Sequence, residues 1–249
     1  MKIWRTKSGY EIFRVLSGRS NSYLISAKGK NILVDTGKES AFKKLESGIN
    51  SLPLTGNKLS FLILTHTHFD HCQNAAKIKE REKCIVVVSK KAYESINDGF
   101  TKLPEGVFLI TKIISKLGSF IGKKRFGYTS FNGDILIDDE FEFSDYDLKL
   151  KLIQTAGHSS DSISILVDGE VAIVGDVLFG IFRNSILPPY AENLNEMIES
   201  WEKLLNTTCK VFLPGHGREI QRKLLQKEYN KYKNKFRIKE RLDKPAIKS

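Results

Sequence analysis

The chain has 249 residues, of which 41% are hydrophobic and 28% charged, values that exclude a disordered chain, a membrane bundle and a small disulfide-stapled scaffold. Its net charge of +11 raises the question of a nucleic-acid or membrane-surface binder. The charge is patterned: residues 126–221 carry 16 acidic against 6 basic residues, whereas residues 222–249 carry 11 basic against 3 acidic. In chain order, short β-branched runs predict strands at 23–26, 31–35, 59–65, 85–89, 134–137, 148–154, 162–167, 170–174 and 211–214. Apolar spacing near 3.6 residues predicts helices at 40–48, 72–82, 92–97, 194–205 and 219–242. The order is strands, then mixed β and α, repeated once. It predicts an α/β (α+β) four-layer αββα sandwich of two mixed sheets with helices outside, built as one domain over 1–249 without a linker rich in Pro, Gly or Ser. Residues 100–128 are the least regular and read as an insertion: a core helix with a basic end at Lys123-Lys124-Arg125, a lid over a pocket, or a helix that touches a membrane. Residues 219–249 read as a basic C-terminal helix and tail.

No apolar tract approaches the ~20 residues that a bilayer requires. The N-terminus has no secretory pattern, and the three cysteines, Cys72, Cys84 and Cys209, show no metal-type pairing. A reducing, cytoplasmic location is expected.

The histidines carry the chemistry. All five, His66, His68, His71, His158 and His216, fall in three clusters. Thr65-His66-Thr67-His68-Phe69-Asp70-His71 follows a predicted strand and precedes a predicted helix. In extended chain, residues two apart point the same way, so His66 and His68 can grip one ion while a turn at Phe69 lets Asp70 and His71 face a second. Imidazoles with a carboxylate suit zinc, iron or manganese. Ala156-Gly157-His158 and Pro214-Gly215-His216-Gly217 each place a histidine beside glycine just past a strand, and Gly175-Asp176 ends another.

His-x-His-x-Asp-His, Ala-Gly-His, Gly-Asp and Pro-Gly-His-Gly, in that order and at these separations, resemble the metallo-β-lactamase superfamily, as does Val34-Asp35-Thr36-Gly37 for that family's early strand-end aspartate. The resemblance runs from about Tyr23 to Gly217. It implies an αββα sandwich with the site at the open edge between the sheets. Carried over residue by residue, it places His66, His68 and His158 on one metal, Asp70, His71 and His216 on a second, and Asp176 between both. The implied cofactor is a dinuclear centre of two divalent ions, zinc first among the suitable metals. Asp35 is expected to orient a ligand or the loop by hydrogen bonds. Asp161 and Ser162 are read either as stabilisers of their loop or as turn caps.

The expected chemistry is hydrolysis by a hydroxide shared between two ions, with Asp70 orienting it and carrying a proton. The expected substrate is a small-molecule ester, thioester or lactone, reached beneath residues 100–128 and the loop 179–190, where Phe179, Phe182, Arg183, Pro188, Pro189 and Tyr190 either clamp substrate or pack the loop. The alternative is a phosphodiesterase or nuclease that uses the basic segments as phosphate contacts. Its discriminating feature is a basic patch flanking the metal edge. A non-catalytic metal-binding protein would require a damaged ligand set, and none of the seven positions is lost.

Overall fold

The computed structural model describes residues 1–53, 58–107, 111 and 122–243, with side chains to residue 233. The chain opens with β1 (Ile3–Arg5), β2 (Glu11–Leu16), β3 (Ser22–Ala27) and β4 (Lys30–Val34), joined as antiparallel neighbours. Helix α1 (Phe42–Asn50) leads to β5 (Phe61–Ile63), then the short α2 (Phe69–Cys72), α3 (Ala75–Glu82) and β6 (Ile85–Ser89). Helices α4 (Tyr93–Asp98) and α5 (Gly122–Phe126) precede β7 (Ile135–Ile137). Strands β4 to β7 run parallel, completing a seven-stranded mixed sheet in chain order. The second half adds β8 (Glu140–Glu142), β9 (Leu150–Gln154), β10 (Ile163–Val167), β11 (Val171–Gly175), α6 (Leu194–Leu205), β12 (Val211–Pro214), β13 (Ile220–Gln221) and α7 (Arg222–Asp243). Its six-stranded sheet has the order β13-β12-β11-β10-β9-β8, with β11 and β12 parallel.

Alternation along the strands divides the apolar residues among three cores. Ile12, Ile25, Ile32 and Ile63 of the first sheet meet Leu152, Ile163, Ile165 and Ile173 of the second. The opposite face of the first sheet, with Leu24, Leu33, Leu62 and Val86, packs on Leu45 of α1, Ile78 of α3 and Ile96 of α4. The outer face of the second, with Ala172, Val174 and Phe212, packs on Met197, Trp201 and Leu204 of α6 and on Leu225 and Tyr229 of α7. Period-2 burial with helices on both outer faces is the predicted four-layer αββα sandwich of two mixed sheets.

Several local expectations change. The helix expected over 72–82 begins only at Ala75, Cys72 being the last residue of the short α2. The one expected over 219–242 begins at Arg222, because Ile220 and Gln221 pair with Phe212 and Val211 as a final antiparallel strand. Strands β1, β2, β8 and β13 escaped sequence reading. In β2 a register shift between Arg14 and Leu16 breaks the alternation that a strand pattern needs, and the other three are only two or three residues long. The apolar helical pattern of 108–121 lies outside the described residues apart from Thr111. No helix among the described residues is long and apolar enough to cross a membrane.

Candidate metal centre

The ends of five strands and one short helix converge at one edge of the sandwich. Leu64 and Thr65, just after β5, bring the chain to the edge, and the Thr65 carbonyl accepts from the Ile163 N–H of the second sheet (2.8 Å), so the histidine loop starts at a joint between the sheets. From the other side, Gly175 at the end of β11 has φ +52, and a Cβ there would sit 2.7 Å from Thr65 Oγ1. A register shift between Ile173 and Gly175 turns the chain out of the β11–β12 ladder, and Asp176 enters the cluster. Gly215 makes room for it: a Cβ at that position would lie 2.3 Å from Asp176 Oδ1 and 2.6 Å from His71 Cε1.

All seven predicted ligand residues meet here, in three overlapping groups whose donor atoms lie within 4.8 Å of one another: His66, His68 and His158; His66, His71 and Asp176; Asp70, His71 and His216. His68 Nδ1 is 3.0 Å from His158 Nε2, and His216 Nε2 is 3.1 Å from Asp176 Oδ2. His71 Nε2 is 3.3 Å from His216 Nε2.

Hydrogen bonds at the far side of three of the rings, His66, His71 and His158, fix which nitrogen faces inward. Asp35, held at φ 60, accepts from the Thr65 N–H (2.8 Å), from Thr65 Oγ1 (2.8 Å) and from His71 Nδ1 (2.9 Å). Because a carboxylate only accepts, the His71 proton sits on Nδ1 and Nε2 faces the cluster. Thr65 Oγ1, its own proton committed to Asp35, accepts a hydrogen bond from His66 Nδ1–H (3.1 Å). The Tyr190 carbonyl does the same for His158 Nδ1 (2.9 Å). Asp35 therefore orients a ring and the loop, as expected.

Asp161 anchors the loop itself, accepting from the Thr67 N–H (2.9 Å) and Thr67 Oγ1 (2.6 Å) between the first two histidines. Of the two readings left open for Asp161, loop stabilisation is the one found. Sequence reasoning missed Asn21, Tyr23, Thr101 and Arg19. Asn21 and Tyr23 hold the His216 loop through Pro214 O, and Thr101 donates to Thr67 Oγ1 (2.8 Å). Arg19 Nε donates to Asp70 Oδ2 (3.3 Å), and its guanidinium lies 5.2 Å from the Phe69 ring centre. None of the four lies in a recognisable pattern, since each acts across long stretches of sequence.

The electrostatics favour a cation. Burial pushes His66 and His68 below the ordinary histidine range, the neighbouring imidazoles adding to it, and lowers His158 too. In His71 burial is outweighed by the carboxylates of Asp176 and Asp35, which raise it to about 10. His216 is raised by Asp176 against its burial. Asp176, despite burial, is held well below the carboxylate range by His216 and His71. His66 Nε2, His68 Nε2 and Asp176 Oδ1 are buried without a hydrogen-bond partner. Three orphaned polar atoms on one cluster would each cost about 1–3 kcal/mol, and such a lone-pair-rich set fits divalent metal, which would meet that cost.

A cleft of about 370 Å³ opens on these residues, walled by Leu103, Pro104, Phe126, Phe179, Pro189 and Tyr190 and by Arg19 and Phe69. The loop 179–190 thus contributes Phe179, Pro189 and Tyr190. Phe182 is exposed, and the arginine in the cleft is Arg19 rather than Arg183.

A profile of the metallo-beta-lactamase superfamily matches residues 17–216. A beta-lactamase-like protein 2 homolog of Caenorhabditis elegans is 28% identical over 82% of this chain, which spans 57% of that relative's length. A probable metallo-hydrolase of Methanocaldococcus jannaschii is 29% identical over 80% of this chain and 87% of its own. An atrochrysone carboxyl ACP thioesterase of Aspergillus fumigatus is 24% identical over 84% of this chain and 56% of its own. In fold, a superfamily protein from Sulfolobus tokodaii superposes with a TM-score of 0.61 at 19% identity, covering 96% of this chain and 88% of that one. With the sandwich, the converging strand ends and the matched span in agreement, this chain belongs to the metallo-β-lactamase superfamily.

Proposed function

We propose that the protein is a metal-dependent hydrolase of small-molecule esters, with thioesters the favoured class and lactones a near neighbour. The observation that carries the reading is the cleft: its walls are mainly apolar, and its floor is the His/Asp cluster. Such a space suits an acyl group whose carbonyl reaches the floor. The thioesterase among the relatives supports the same class. In this reading His66, His68 and His158 would hold one divalent ion and Asp70, His71 and His216 a second, with Asp176 a ligand available to either. Zinc is the metal that suits the donors best, with iron and manganese next.

Metal held by these residues would supply a water acidified from 15.7 toward about 7 and would polarise the carbonyl oxygen. The chain's own residues do the rest. Asp35, Thr65 and the Tyr190 carbonyl keep three imidazoles in one tautomer and so keep their Nε2 atoms turned inward. Leu103, Phe126, Phe179 and Tyr190 shield the acyl group from bulk water. Asp70 carboxylate, which faces the cleft 3.8 Å from His216 Nε2, orients the attacking water and carries its proton to the departing sulfur or oxygen. The carbon–oxygen bond to water forms, the carbon–sulfur bond breaks, and the products are a carboxylic acid and a thiol. Three buried free cysteines support a reducing, cytoplasmic setting.

The phosphodiester alternative calls for a basic patch at the metal edge, and Arg19, Lys38 and Lys44 lie there, but the segments read as its phosphate contacts are largely paired or packed. Lys79, Arg81 and Lys90 are paired with Asp134, Glu46 and Asp138. On the basic C-terminal helix Tyr229 and Tyr232 pack inward, Tyr232 against Trp201 (5.7 Å), and Lys231 and Lys233 pair with Glu228 and Glu202. A panel of a thioester, a lactone, a p-nitrophenyl ester and bis-p-nitrophenyl phosphate tests the choice. Turnover of the thioester or ester is expected, and turnover of the phosphodiester alone would reverse it.

A further inference from the structure

A second hollow adjoins the metal cleft. It measures about 320 Å³ and lies between the β2–β3 loop and the start of α1, with Ser17, Arg19, Ser20, Lys38, Ser40 and Lys44 on its walls. Arg19 lines both spaces, so the two share one residue. Three cations line the hollow and no carboxylate does. Lys38 forms no ion pair among the described residues, and Lys44 Nζ donates to a neutral acceptor, Ser17 O. Arg19 is paired with Asp70, which the reading above commits to metal.

The hollow is built rather than incidental. Ser20 Oγ donates to Asp70 O (2.5 Å), and Asn21 N–H donates to Gly215 O (2.7 Å), tying this loop to both halves of the metal centre. Lys38 and Lys44, neither paired with a carboxylate, and Arg19, whose partner Asp70 also belongs to the His/Asp cluster, surround a concave space with three hydroxyls and match an anionic oxygen group. A substrate whose carbonyl sits at the His/Asp floor, with its acyl part against the apolar wall, must send its leaving group past Arg19 or out to solvent.

We propose that this hollow is an anion subsite, in which Lys38, Lys44 and Arg19 bind a phosphate or carboxylate carried by the substrate's leaving group. The inference rests on the ester and thioester reading for its substrate, and it narrows that class to substrates with an anionic leaving arm. Lys38 and Lys44 are then specificity residues that touch the distal anion and not the reacting carbonyl.

The test compares metal-loaded wild type with the Lys38→Gln/Lys44→Gln double variant and the charge-retaining Lys38→Arg/Lys44→Arg variant. The substrates are three thioesters of one acyl group, on a neutral, a carboxylate-bearing and a phosphate-bearing thiol. Loss of the two charges is expected to lower kcat/KM for an anionic thioester about tenfold, through KM. The neutral thioester should change by less than about twofold, and the Arg variant should restore the preference. The carboxylate and phosphate arms identify which anion the hollow takes. Equal losses on neutral and anionic thioesters, or none on either, would overturn the subsite. A second readout needs no turnover: pyrophosphate titrated into the same proteins should bind about tenfold more weakly to the Gln variant, any binding at the metals being common to both. If no thioester is hydrolysed while that difference persists, the thioester reading fails and the anion subsite stands. Equal pyrophosphate affinity in all three proteins would refute the subsite.

Discussion

Asp35 accepts three hydrogen bonds at once, two from Thr65 and one from His71, and so fixes two of the inward-facing imidazoles without facing the cleft. Asp35→Asn would set an amide N–H donor against the Thr65 or His71 donor at one of these contacts. The expected result is a folded protein whose metal affinity falls about 10–100-fold, read by competition with a chelator; unchanged affinity would remove Asp35 from the support of the site. Gly215→Ala acts from the other side. Its new Cβ meets Asp176 Oδ1 and His71 Cε1 well inside contact distance, so it should cost about 1–3 kcal/mol of stability and lower the metal content, both read on purified protein. Protonation gives a further prediction at this scale. In the metal-free protein the Asp176 and Asp35 carboxylates raise His71 to about 10, so at pH 8 it carries a second proton, on Nε2, and metal must displace that proton to bind. Zinc titration at pH 8 should release about one proton per chain or more, measured by calorimetry in buffers of different ionisation enthalpy. Metal uptake without proton release would contradict the pairing of His71 with Asp35 and Asp176.

Secondary elements deliver these residues, and their legibility varied with length and regularity. Strands such as β6, β10 and β11 are continuous β-branched runs buried on both faces, which sequence shows directly. Strand β2 hid behind its bulge, and β8 and β13 are too short to present a period. Helix α6 was legible from end to end because its apolar stripe places Met197, Ile198, Trp201, Leu204 and Leu205 inward, and Asn193 caps it through its side-chain oxygen to the Asn195 and Glu196 N–H groups. Trp201 is fully buried and donates to Val177 O (2.7 Å) next to Asp176. Trp201→Ala should therefore cost about 3–5 kcal/mol, seen as a lower denaturation midpoint. A loss below about 1 kcal/mol would show that the outer core around α6 collapses to fill the space. The cleft was only partly legible for a different reason. Leu103, Phe126 and Arg19 come from three separated segments, and their meeting depends on packing that no local pattern encodes.

For the molecule as a whole, the two sheets are joined at the metal edge through the Thr65–Ile163 and Asn21–Gly215 backbone bonds, so the site is also the seam of the fold. The ligand candidates were legible because imidazole and carboxylate in fixed order beyond strand ends carry their chemistry in their identity. The supporting hydrogen bonds were not, since Asn21, Thr101 and Tyr190 are ordinary residues made useful by position. The net charge of +11 likewise resolves in three dimensions: several of the basic residues outside the cleft meet acidic partners, while Arg19, Lys38 and Lys44 gather beside the site. The central claim is that the seven residues hold two metal ions that hydrolysis requires. Metal analysis and thioester turnover of wild type and of His66→Ala/Asp176→Ala test it most directly. About two ions per chain in the wild type, with both metal and turnover lost in the variant, is the predicted result; full metal content in the variant, or turnover that survives metal removal, would contradict it.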